Sequence, residues 1–177
     1  MKLSPLASFF RKESKNFVQI PLPKRGRLYV SPMPFGPYDK FNEIINSYRR
    51  HRIDRVIALV TDEEHERKAK KNIWNVYEKL EIKVSRLPFK DLLSPLIPDV
   101  ARLVEEASRY LDSERIVIHC NAGVGRSGLV ASCIVAYVTK VTGPVAIDYV
   151  KGYMQTDLTD EQKRFVNRWA EEIRTSV

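Results

Sequence analysis

The chain has 177 residues, of which 44% are apolar and 29% charged, and it carries a formal charge of +8. Such a length and composition suit a single globular domain with a substantial core. The longest apolar stretch, Leu129–Val141, is too short to cross a bilayer, so no transmembrane segment is expected, and Phe9-Phe10 is too brief for the apolar region of a secretory signal. Two cysteines supply no disulfide framework, which favours a reducing, intracellular and cytoplasmic setting.

The charge is uneven. Met1 to Arg27 holds seven Lys/Arg against Glu13, which is +6 of the +8. Residues 1–26 carry four prolines or glycines and no sustained periodicity, so they read as a basic N-terminal arm preceding one catalytic-sized domain, 27–177. A basic arm suits acidic partners. Too few aromatics interleave its charges for a nucleic-acid platform, and nucleic acid is not the expected partner.

In chain order, Arg27–Val30 reads as a strand, and Ser31–Pro37 as a loop, since three prolines in six residues forbid regular hydrogen bonding. A helix is predicted over Asp39–His51, with Phe41, Ile44, Ile45 and Tyr48 on one face. Ile53–Val60 reads as a buried strand. Thr61 and Glu64 form a capping box opening a helix to about Leu80. Ile82–Leu87 alternates as a strand, and Pro88-Phe89-Lys90-Asp91 leads into a proline-interrupted loop. A helix over Asp99–Leu111 precedes the strand Arg115–Ile118. Leu129–Val141 is a core helix, and Thr142-Gly143-Pro144 starts the next one. Thr159 and Gln162 form a second capping box before the last helix. Strands alternate with helices, which predicts an α/β fold with a central, mainly parallel sheet of about four to five strands flanked by helices.

The stretch Ile116 to Gly128 carries the chemistry. A β-branched strand feeds a glycine loop that opens a helix, and such a loop gathers backbone N–H groups at the positive end of the helix dipole. Six amides around one point match the equatorial oxygens of a phosphoryl group, so Asn121, Ala122, Gly123, Val124, Gly125 and Arg126 are the expected anion-binding positions. Arg126 adds a planar fork suited to two of those oxygens. Cys120 sits at the floor of this cradle. A cysteine attacks as the thiolate, which helix N-termini and neighbouring cations favour. Ser127 is placed to donate to the sulfur when it leaves. Most free cysteines are small buried hydrophobes, and Cys133 is expected to be one. Around Cys120 the glycines, the arginine and the serine argue otherwise.

His119-Cys120-(five residues)-Arg126-Ser127-Gly128 matches the HC-x5-R-[S/T] loop, and the chain resembles the cysteine-dependent protein tyrosine phosphatases, in particular the compact dual-specificity and archaeal-type members. The agreement runs from about Gly26 to Trp169. Arg27–Ser31 resembles the family's opening strand, and Pro88-Phe89-Lys90-Asp91 its P-F-x-D general-acid loop. The segment at Gln162 is similar to one that carries a water-positioning glutamine in some branches. The resemblance implies a protein tyrosine phosphatase-like fold and hydrolysis of phosphorylated protein substrates through a cysteinyl-phosphate. It also implies a structural role for His119 beside the nucleophile.

The acid that protonates the leaving group has two candidates. Asp91 follows a predicted strand in a loop free to close, 29 positions before Cys120, and is preferred. Asp99 lies 21 positions before it, where its helix dipole favours the charge, and its Ile-Pro-Asp spelling also resembles some acid loops. Phe35 and Tyr38 are the expected rim for an aryl ring. His51, His65 and His119 lack metal-ligand spacing, so neither metal nor cofactor is expected. The same chemistry on phosphoinositides or RNA 5′-phosphates is the alternative. Asn121 and Val124 stand where phosphoinositide enzymes often carry lysine, and the RNA branch spells its loop differently. A phospho-binding pseudophosphatase usually requires a damaged site, and this one has all its parts.

Overall fold

The computed structural model describes residues 16–175. Five strands form one sheet in the order β1-β2-β5-β3-β4: β1 Val18–Ile20, β2 Arg27–Pro32, β3 Arg55–Ala58, β4 Lys83–Arg86 and β5 Arg115–Cys120. Only β1 is antiparallel; the pairs β2–β5, β5–β3 and β3–β4 are parallel. Seven helices complete this part of the chain: α1 Glu43–Arg50, α2 Asp62–Lys68, α3 Ile73–Lys79, α4 Ile97–Tyr110, α5 Gly125–Thr139, α6 Gly143–Lys151 and α7 Asp160–Thr175. None among the described residues is long and apolar enough to cross a membrane by itself.

The sheet divides the core in two, and the period of 2 along β5 decides which side each residue serves. Ile116, Ile118 and Cys120 join α4, α5, α6 and α7 in the larger cluster. Val117 belongs with Tyr29, Val56, Ala58 and the apolar faces of α1 and α3 in the smaller one. Helix α5 is buried from Arg126 through Ala136, so it needs no polar face and reads as a continuous apolar run. As the middle strand, β5 delivers its carboxyl end between two parallel neighbours, where open α/β sheets bind ligands.

Several expectations change. The stretch read as an arm through residue 26 includes β1, in which Ile20 is fully buried, and just before it Phe17 stacks on Tyr29 at 4.8 Å. A three-residue edge strand is too short to show periodicity. The arm's Lys2, Arg11, Lys12 and Lys15 lie outside the described residues. Ser31 and Pro32 extend β2 rather than starting the loop. The helix read from Asp39 begins at Glu43, because the Asp39 carboxylate caps it from outside, accepting from the N–H groups of Phe35, Glu43 and Ile44. Phe41 therefore lies ahead of the helix and is 77% exposed instead of joining the apolar face. The single helix read from Thr61 to Leu80 is two. Ala69 is extended, Asn72 caps α3 by accepting from Asn75 N–H, and His65 Nε2 accepts from Ile73 N–H across the break. The core helix starts at Gly125, four residues before its apolar run.

Candidate active site

Cys120 ends β5, is 2% exposed, and accepts a hydrogen bond at Sγ from the Gly123 N–H at 3.2 Å. That bond closes the loop Asn121–Val124 over the sulfur. The Met33 N–H donates to Asn121 O and pins the loop to the end of β2. Gly123 has φ +77°, and a Cβ there would stand 2.6–2.7 Å from the Ser31 and Pro32 backbone. Both the left-handed backbone and the close approach require glycine. From Gly125 onward α5 points its unpaired first-turn N–H groups back at the loop.

Arg126 is fully buried, yet its charge is balanced. The guanidinium's terminal edge meets Glu64 bidentately, with Nη1 to Oε2 at 2.6 Å and Nη2 to Oε1 at 2.8 Å. Nη1 also donates to the carbonyls of Leu59 and Phe89. The side edge is different. Nε is buried without a hydrogen-bond partner among the described residues, and Asp91 Oδ1 lies 3.4 Å away. A guanidinium held this way by one edge presents the other to a ligand. Burial opposes ionisation of Glu64, but hydrogen bonds from Arg126 and Lys68 outweigh it and hold the carboxyl at about 2. Two cations on one carboxylate keep this pair charged at neutral pH.

Glu64 is the site residue that sequence reasoning missed. Its backbone does what the capping box requires, since its N–H donates to Thr61 Oγ1. Its side chain, expected to turn back on the cap, reaches Arg126 instead. A capping-box glutamate looks the same in sequence whether or not a buried arginine lies within reach.

The structure brings Asp91 and not Asp99 to Arg126. Asp91 is largely exposed in its loop, and its Oδ1 would stand 4.0 Å from a Cβ at Gly125. Asp99 opens α4, pairs with Arg102 at 3.5 Å and lines a groove with Ser85 and Arg86 beside β4. His119 points to the other side of the sheet, where its Nε2 and the Tyr77 hydroxyl are 3.0 Å apart. Burial holds its pKa down at about 4, so the ring is neutral. Gln162 is 1% exposed, and both ends of its amide are hydrogen-bonded. Its Oε1 accepts from Thr159 N–H, completing the second capping box, and its Nε2 donates to Leu93 O in the loop after Asp91. Ser127 Oγ and Asn121 Oδ1 are buried without partners among the described residues. Phe35 does not form a rim. It is 5% exposed in the smaller core, whereas Tyr38 is on the surface. Cys133 is core, and burial pushes its thiol well up.

The sequence profile of the cyclin-dependent kinase inhibitor 3 (CDKN3) family matches residues 39–147. Human cyclin-dependent kinase inhibitor 3 is 33% identical over 82 residues, 45% of this chain and 39% of the relative. The phosphatidylinositol 3,4,5-trisphosphate 3-phosphatase cnrN of Dictyostelium discoideum is 32% identical over 97 residues, 50% of this chain and 15% of that protein. These matches thus span well under half of the curated relatives' length. Among solved structures, a crystal structure of kinase associated phosphatase, with its catalytic-site cysteine replaced by serine, superposes with a TM-score of 0.79. It is 18% identical, with 91% of this chain and 97% of that chain covered, and so speaks for the fold. The chain belongs to the CDKN3 family, and its fold is that of kinase associated phosphatase.

Proposed function

We propose that this domain hydrolyses phosphotyrosine in proteins, and phosphoserine and phosphothreonine as well, through a cysteinyl-phosphate. The carrying observation is the divided guanidinium of Arg126: Glu64 occupies its terminal edge, while its buried Nε, with no hydrogen-bond partner among the described residues, faces Asp91 beside the Cys120 loop. Cys120 Sγ attacks phosphorus. Arg126 and the amides of residues 121–126 hold the equatorial oxygens, where charge is concentrated in the transition state. The P–O bond to the substrate breaks as Asp91 gives its proton to the departing oxygen. Asp91 then takes a proton from water as that water attacks phosphorus and the S–P bond breaks, with the Ser127 hydroxyl donating to the leaving sulfur. Inorganic phosphate departs. No metal or cofactor enters any step.

The similarity to a phosphatidylinositol trisphosphate phosphatase over half of the chain favours one second reading, the same chemistry on a phosphoinositide headgroup. Asn121 and Val124 give the loop no lysine for further phosphates, which is why protein is preferred. The deciding experiment follows phosphate release from phosphotyrosine and phosphothreonine peptides beside phosphoinositide vesicles, with Cys120→Ser as control. Peptide turnover that vanishes in Cys120→Ser, while vanadate binding persists, is the expected result. Release mainly from the vesicles would replace the protein reading with the lipid one.

A further inference from the structure

The loop that carries Asp91 continues into three exposed leucines, Leu92, Leu93 and Leu96, of which Leu96 is 71% exposed. Single surface apolar residues need no explanation, whereas three exposed leucines within five positions are more than such scatter. Behind them lies a groove of about 440 Å³ between this loop and α7, lined by Ser94, Glu161, Arg164, Phe165 and Arg168. Positions 161, 164, 165 and 168 form one helical stripe, so both arginines project into the same groove. Neither guanidinium lies within 4 Å of a carboxylate oxygen of a described residue, although Asp160, which pairs with Lys163, also lies within the field of Arg164. The groove is also coupled to the site. Gln162, within the same turn of α7, donates to Leu93 O, two residues after Asp91.

We infer that this groove is a second recognition subsite, in which Arg164 and Arg168 bind an anionic side chain of the phosphoprotein substrate near the residue being dephosphorylated, while the leucines pack on apolar residues beside it. The inference rests on the protein reading above. The anion is a carboxylate or a further phosphate. Two arginines projecting into one groove supply the charge complementarity for an acidic side chain. A bilayer surface fits less well, because the arginines line a concavity, which a single side chain can enter more readily than a broad headgroup surface.

The test compares phosphotyrosine peptides flanked by glutamate, by phosphoserine or by alanine, read as the unmasking of the tyrosine in its absorbance, using the full chain and the Arg164→Glu/Arg168→Glu variant. Turnover of a small aryl phosphate, which does not reach the groove, monitors the folded site. Wild type should favour one or both anionic peptides over the alanine peptide by about tenfold in kcat/KM, the scale of one charge-assisted hydrogen bond. The preference should weaken as salt rises and invert in the variant, while aryl phosphate turnover stays within about twofold. The glutamate and phosphoserine arms show which anion the groove takes. Equal turnover of all three peptides by wild type, with the aryl phosphate hydrolysed, overturns the subsite but leaves the phosphatase reading standing. A variant that loses only binding to anionic vesicles assigns the groove to lipid and also overturns it. Failure of wild type on the aryl phosphate itself strikes the phosphatase reading instead.

Discussion

Asp91 reaches the site through one oxygen. Its Oδ1 sits 3.4 Å from Arg126 Nε and accepts the N–H of Leu92. An acid in this position matters in proportion to how badly the leaving group needs a proton. Asp91→Asn is therefore expected to lower kcat on an alkyl phosphate about 100-fold or more, while an activated aryl phosphate loses much less; a leaving-group series measures this. The same loss in Asp99→Asn would reassign the acid. Glu64 acts differently, because it touches Arg126 and not the space above Cys120. It fixes the guanidinium's plane and balances a charge that would otherwise be buried alone.

At the scale of elements, the site is a junction of β5, α5, the Asp91 loop and the start of α7, and Gln162 ties the last two. Its Oε1 caps α7 at Thr159 while its Nε2 holds the Leu93 carbonyl, so one side chain sets both where the helix begins and how the Asp91 loop lies. Gln162→Ala should cost about 1 kcal/mol through the lost cap, read from urea midpoints. It should also slow the alkyl phosphate more than the aryl one, since a loosened loop presents Asp91 less often, and leave vanadate binding unchanged. A purely structural glutamine would show the stability loss without the leaving-group dependence.

Across the whole molecule, the central strand joins the two cores through His119. On the far side of the sheet its ring meets Tyr77, while the Tyr48 hydroxyl meets Ser31 Oγ at 2.8 Å, placing polar groups deep in an aromatic cluster. Burial is the main cause of the depressed pKa of His119, about 4 against an ordinary 6.5. The unfolded chain therefore takes the proton more readily than the folded one. The resulting stability is intact above pH 6.5 and is lost as pH falls toward 4, reaching about 3 kcal/mol at full protonation. Urea midpoints from pH 7 to 4.5 should fall in the wild type and flatten in His119→Gln. Glu64, held at about 2, adds its own loss only at lower pH, as protons compete with Arg126 below about 4.5.

The strand, glycine loop and arginine from Ile116 to Gly128 were legible in the chain because they are contiguous: a tight anion loop needs its residues in order, and the order is the motif. Alternating strands and helices, and both helix-capping threonines, were legible for the same local reason. Tertiary structure alone decided the rest. It set Asp91 rather than Asp99 beside Arg126, turned Glu64 from a cap toward Arg126 62 positions away, buried Phe35, and drew β1 into the sheet. Each of these depends on which distant surface a side chain meets after the sheet closes, and no local spacing encodes that distance. The cysteine loop is local, whereas the groove at Arg164 and Arg168 exists only because the Asp91 loop packs against the last helix.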